Sequence, residues 1–235
     1  MNPFFDHFGP FLMFDWFRKH AIQEIAKPLP FEQLKRHAKI VVLDDEKDSF
    51  PTELLQNDGY TIEWWSRLDA AKLHRLEKGD FDIIILDIQG ITDQTLSDTG
   101  DGLGVLRRLK SVNPYQIVVA FSGKTYDLDS VPFWKLADET IRKPVSVITC
   151  KEVIDRLIRE HISVRAYWDS VEHLLQENGV PPDKVKKLEN RVVKSAKSGS
   201  SLYLADVQKI VGSVKSIVAV VGAVHKIVLL WQKIF

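Results

Sequence analysis

The segment VVLDDEKDSF, residues 41–50, stops an apolar, β-branched run on two adjacent carboxylates, Asp44 and Asp45. Residues 39–43, KIVVL, have the continuous hydrophobicity of a strand covered on both faces, rather than the alternation of a half-exposed one. The two acids that follow carry like charges side by side. That arrangement is costly unless one carboxyl takes up a proton or a cation lies close by.

The same texture returns downstream. FDIIIL (81–86) and QIVVAF (116–121) are further continuous apolar runs, and YTIEWW (60–65) and ADETIR (137–142) also have strand character. Between them lie TELLQND, LDAAKLHRLEKG, DGLGVLRRLKSV and LDSVPFWKLA, each with apolar residues at helical spacing. Strands alternating with helices at this interval predict an α/β fold with a doubly wound, five-stranded parallel sheet. In such sheets ligands bind beyond the carboxyl ends of the strands.

The polar residues at those ends form a set. Asp44 and Asp45 close strand one, Asp87 closes strand three (FDIIILDIQG), Ser122 closes strand four (VVAFSGK) and Lys143 closes strand five (TIRKPVS). Three carboxylates at one edge call for a hard dication with oxygen ligands, and Mg²⁺ suits a site with few carboxylates that also takes a phosphate oxygen. A lysine and a hydroxyl opposite the metal would grip the remaining phosphoryl oxygens.

Over residues 38–160 this set resembles the receiver domain of two-component response regulators. The resemblance implies a flavodoxin-like sheet of order 2-1-3-4-5. It makes Asp87 the phosphoacceptor and puts Mg²⁺ on Asp44, Asp45, Asp87 and the backbone carbonyl of Gln89. Lys143 would pair with Asp87 and then with the phosphoryl group, and Ser122 would move to bond that group. The implied donor is a sensor histidine kinase or a phosphotransfer protein, and the implied role is cytoplasmic signalling rather than metabolic catalysis. Two departures stand out. Thr140 occupies the place, three before the lysine, where receivers commonly carry an aromatic switch residue. The segment ITDQTLSDTG (91–100) lengthens the loop before Asp101-Gly102.

The flanks divide the chain into 1–38, 39–148 and 149–235. Phe4, Phe8, Phe11 and Phe14 are spaced for a helical arm, followed by a Pro28-Leu29-Pro30 break. The arm carries Asp6 and Asp15 and no basic leader, so it does not read as a signal peptide. From Cys150 through Ile154, Leu157, His161, Val164, Trp168 and Val171 to Leu175 the apolar stripe steps by four and three, which predicts that the fifth helix runs on past the sheet. Gly179 ends it and Pro181-Pro182 starts another helix. A second stripe steps from Val207 to Phe235, and from Ile217 the chain is apolar nearly all round, so that helix must be buried in something. Its apolar run is short of the roughly 18 residues of a membrane span, and His225 and Lys226 interrupt it. A helical bundle, or a homodimer or partner interface, is the expected burial, with Gly212 and Gly222 permitting close helix approach. His161 falls on the first seam and His225 at a bundle edge.

Composition narrows the function. The chain is 45% hydrophobic, enough for a core, and its formal net charge is zero, which argues against a globally basic nucleic-acid binder. Its one cysteine, Cys150, permits neither an internal disulfide nor a multi-cysteine zinc site. Two other readings stand beside the response regulator. One is a receiver-like adaptor that binds a partner through its terminal helices without phosphorylation, favoured by Thr140. The other is a phosphatase of the haloacid dehalogenase type, which wants Asp-x-Asp after strand one where this chain has Asp44-Asp45.

Overall fold

The computed structural model describes residues 21–87, 90–91, 102–123 and 134–233. The Phe4–Phe14 stripe, Gln89, most of the 91–100 segment, the start of the LDSVPFWKLA helix and Phe235 lie outside them. Among the described residues the strands are β1 (Lys39–Leu43), β2 (Thr61–Trp65), β3 (Ile83–Asp87), β4 (Ile117–Ser122) and β5 (Glu139–Arg142). All pairs are parallel and the order is β2-β1-β3-β4-β5.

The strand residues divide by parity between two cores. Ile40, Val42, Ile83, Ile85 and Phe121 face one side, which is covered by α1 (Phe31–His37), α2 (Thr52–Asn57) and α5 (Val147–His161). Val41, Leu43, Ile84, Leu86 and Val118 face the other, covered by α3 (Ala70–Glu77) and α4 (Gly102–Val112). The sheet is therefore doubly wound. In the LDSVPFWKLA segment the described residues form only a single 3-10 turn, Trp134–Leu136.

The fifth helix does not run on. It stops at His161, and Ser163 caps a new helix, α6 (Val164–Glu177), by accepting a hydrogen bond from the Ala166 amide. A side-chain acceptor at this position is a strong helix start, and it breaks the stripe that the spacing alone carries through. His161 is consequently exposed at the helix end, not seated in a seam. α5 packs on the sheet along its length up to this break.

Three more helices follow: α7 (Pro182–Ser198), α8 (Leu204–Val211) and α9 (Ile217–Gln232). The second stripe is shared between α8 and α9. Gly212 (φ 84°) ends one and Ser216 (φ 61°) precedes the other, so Gly212 serves a turn and not a close helix crossing. α9 is buried against α6, α7 and α8 of its own chain. Trp168, Val171, Leu175, Val224 and Val228 are all core residues of that bundle, which removes the sequence basis for a homodimer seam. No described helix is long and apolar enough to cross a membrane.

The bundle is fastened to the sheet at the amino ends of the strands. The buried Asp82 carboxylate accepts the Lys39 amide (2.8 Å) and the Tyr167 hydroxyl (2.7 Å) and pairs with the Lys226 ammonium (2.9 Å). Lys226 also donates to the Phe81 carbonyl. Gly222 faces the Lys78 carbonyl so closely that a Cβ would lie 2.9 Å from that oxygen. Elsewhere the buried Glu189 of α7 accepts the Ile22 amide at 2.8 Å and ties the 3-10 turn Ala21–Glu24 to the bundle.

Two outcomes follow for urea denaturation. Gly222→Ala should cost about 1–3 kcal/mol, because backbone on both sides must give way. Asp82→Ala should cost about 3 kcal/mol or more by stranding Lys226. Parent-like midpoints for both variants would mean that α9 is not seated on the α3–β3 turn.

Candidate functional site

Strand register builds the site. Leu43 of β1 lies opposite Leu86 of β3, so the next residues, Asp44 and Asp87, leave the sheet at one level. Asp87 lies opposite Phe121, and Ser122 opposite Arg142, which brings Ser122 and Lys143 to the same edge. The Lys143 amide donates to the Ser122 carbonyl at 2.9 Å and fixes the start of the β5–α5 loop.

The Lys143 ammonium lies 2.8 Å from Asp44 Oδ2 and 2.8 Å from Asp87 Oδ2, with the Phe121 ring beneath it at 4.8 Å. Burial alone would pull its pKa down. The hydrogen bonds and charges of Asp44 and Asp87 outweigh that, and the pKa is held above the ordinary lysine range. Asp44 is fully buried, while Asp87 and Ser122 are nearly so. Asp45 is exposed. Ligand oxygens of Asp44, Asp45 and Asp87 lie within 4.8 Å of one another.

Three carboxylates thus face one ammonium, and the cluster keeps a negative excess. Its donors are all hard carboxylate oxygens, two of them from buried residues and one from a residue open to water, which is a set that fits a small dication. Away from this cluster, burial pushes the Cys150 thiol up to about 12.

Of the residues singled out in the sequence, the structure brings together Asp44, Asp45, Asp87, Ser122 and Lys143. Gln89 lies outside the described residues. Three further residues contribute to the site. Ser49 donates to Asp44 Oδ2, and the Glu46 amide donates to Asp44 Oδ1 at 2.9 Å, so the loop after β1 folds back over its own acid. Gly90 (φ 76°) lies against Asp45, where a Cβ would come within 2.4 Å of Oδ2. The Gly in DIQG was the only sequence signal for that approach. Ser49 gave none, being one polar residue in a polar loop.

Thr140, at the usual switch position, sits partly buried in β5 opposite Ala120. Asp44-Asp45 at the end of β1 and a third acid on β3 do not form the Asp-x-Asp arrangement that the phosphatase reading requires.

The strand order and the shared edge of Asp44, Asp87, Ser122 and Lys143 decide the fold assignment. The sheet layer of this chain has the flavodoxin-like fold, a doubly wound parallel sheet in the order β2-β1-β3-β4-β5. No family model and no curated protein matches the sequence. Among solved structures, the chain is similar to the receiver domain of NtrX from Brucella abortus, at 26% identity over 52% of this chain and 98% of that one, with a TM-score of 0.43. It is similar to a response regulator receiver domain protein from Clostridium thermocellum, at 26% identity over 52% and 95%, with a TM-score of 0.42. A CheY-like receiver domain protein from Methanospirillum hungatei is also similar, at 23% identity over 52% and 94%, with a TM-score of 0.43. The remainder of the chain is helical.

The receiver-type site makes a prediction about charge. Lys143→Met leaves Asp44 and Asp87 buried against each other with no cation between them. We expect a loss of about 3 kcal/mol in chelator, and partial recovery when Mg²⁺ is added. Urea midpoints with and without Mg²⁺ measure both. A variant as stable as the parent in chelator would show that the lysine is not what holds the two acids together.

Proposed function

We propose that this protein is a response regulator whose receiver-type domain accepts a phosphoryl group on Asp87. The observation that carries the reading is the convergence of two buried acids, an exposed acid, a hydroxyl and a bidentate lysine at one sheet edge. Phosphoryl transfer asks for position and charge neutralisation more than for covalent skill, and this site is organised for both.

Asp44, Asp45 and Asp87, with the Gln89 carbonyl, would hold Mg²⁺, which when bound neutralises charge on the phosphoryl oxygens. An Asp87 oxygen attacks phosphorus on a phosphohistidine of a sensor kinase or phosphotransfer protein. The new O–P bond forms as the P–N bond breaks, and the electron pair of that bond returns to the imidazole. Lys143 moves its ion pairing from the carboxylate to the phosphoryl group, and Ser122 donates its hydroxyl to another phosphoryl oxygen. Output then depends on how the β4–β5 side and the helical bundle respond, and signalling rather than turnover of a metabolite is the role.

Intact mass after incubation with acetyl phosphate and Mg²⁺ tests the reading. We expect one phosphoryl adduct on the parent, none on Asp87→Ala and none in chelator. No adduct on the parent, with function retained in Asp87→Ala, would favour the adaptor reading. A second measurement addresses the metal. Gly90→Ala forces the Asp45 carboxylate aside, so Mg²⁺ affinity by calorimetry should fall about tenfold or more. Unchanged affinity would remove Asp45 from the site.

A further inference from the structure

At the opposite pole of the sheet from the carboxylates, where the sheet layer meets the bundle, lies a cleft of about 150 Å³ that is partly open to solvent. Its basic wall comes from three separate stretches of chain. His37 ends α1, Lys39 begins β1, Lys78 lies in the α3–β3 turn, and Lys226 and Lys233 come from α9 and its end. Ile162, Leu229 and Leu230 supply apolar lining between them.

The charges do not cancel locally, although the chain as a whole is neutral. The two acids lining the cleft are already engaged: Asp80 pairs with Arg75, and Asp82 with Lys226. Lys39, Lys78 and Lys233 form no salt bridge among the described residues. Lys39, Lys78 and Lys233 are all exposed, and Lys39 has Glu63 as an electrostatic neighbour on β2. Burial first, and then the charge of Lys233, hold the pKa of His37 below the ordinary range, with Asp82 opposing.

Lysines on a convex surface splay into water and cost nothing. Here ammonium groups from segments far apart in sequence surround a concave site with apolar lining, which is the usual build of a small-molecule site at a domain junction. The basic groups are point charges with no arginine fork among them, which suits a multiply charged phosphate better than a planar carboxylate.

We propose that the junction cleft binds a small organic phosphate, with Lys39, Lys78 and Lys233 on the phosphate oxygens and the Ile162–Leu230 lining beneath the organic part. The ligand would bridge the receiver-type layer, through Lys39 and Lys78, to the end of α9, through Lys233. Its binding would restrain that helix against the sheet. The inference does not depend on phosphorylation of Asp87.

Calorimetric titration of the full chain tests it, with adenosine triphosphate and inorganic tripolyphosphate as probes and chelator present so that the carboxylate site stays without metal. We expect saturable one-to-one binding of the nucleotide and weaker binding of tripolyphosphate, which leaves the apolar lining bare. The double variant Lys78→Ala/Lys233→Ala changes only exposed side chains and should keep the parent's circular dichroism while weakening nucleotide binding at least tenfold. Amide exchange across residues 222–232 should slow when the nucleotide is bound to the parent and not in the variant. No saturable binding of either probe at millimolar concentration would overturn the proposal, as would parent-like affinity in the double variant. Equal affinity for the two probes would overturn the role given to the apolar lining.

Discussion

One ammonium group stands between two buried carboxylates, and the upper edge of the sheet is organised around it. Asp44 and Asp87 arrive at the same level because β1 and β3 are parallel and in register at Leu43 and Leu86. Without Lys143 that register would press two acids together in a dry place, which is among the most expensive arrangements a protein can hold. The lysine comes from β5, at the far side of the sheet, and reaches across over the face of Phe121. The order of the strands and the electrostatics of the site are therefore one constraint: a sheet wound differently would not deliver this lysine to these acids.

The helical half solves a different problem. α9 is apolar on nearly every side, and its own chain covers it, with α6 along one flank and α7 and α8 along others. Burial inside the chain uses up the same residues that suggested pairing between chains. Asp82 then fastens this bundle beneath the sheet by accepting from backbone, hydroxyl and ammonium at once. A buried acid with each partner in place is tolerable, whereas the same acid with one partner missing is not. The two poles of the sheet thus carry mirrored chemistry, acids awaiting a cation at one end and lysines in excess at the other.

Much of this was legible in the residues. Continuous apolar runs marked β1, β3 and β4, and their terminal polar residues marked the edge, because hydrophobic burial and strand register act locally and leave a strong pattern. Periodicity misleads where a cap interrupts it. The stripe from Cys150 to Leu175 does step by three and four, yet Ser163 caps a new helix in its middle, and Ser163 was visible as a helix-starting residue. Gly212 read as a packing glycine and serves as a turn with positive φ, a distinction that depends on backbone direction and not on residue type. The contacts of Ser49 with Asp44 and of Gly90 with Asp45 were not legible, since each depends on how a polar loop folds back. The junction node at Asp82 was hidden for the same reason. It joins Lys39, Tyr167 and Lys226 from distant parts of the chain, and no periodicity links them.

The hydrophobic core on the α5 side of the sheet does not close at the domain boundary. Ile40, Phe121 and Ile154 of the receiver-type layer belong to one buried cluster with Trp168, Leu188 and Val224 of the bundle, and Ile162 and Val164 sit at the seam. Two-domain proteins are often joined by a pliable tether that leaves each core closed. Here α5 passes into α6 through only two residues, the buried Ile162 and the partly buried Ser163 that caps α6. Grafting this input onto another output would mean re-inventing an apolar interior, so the two halves are bound to change together in evolution, each substitution in one constraining what the other accepts.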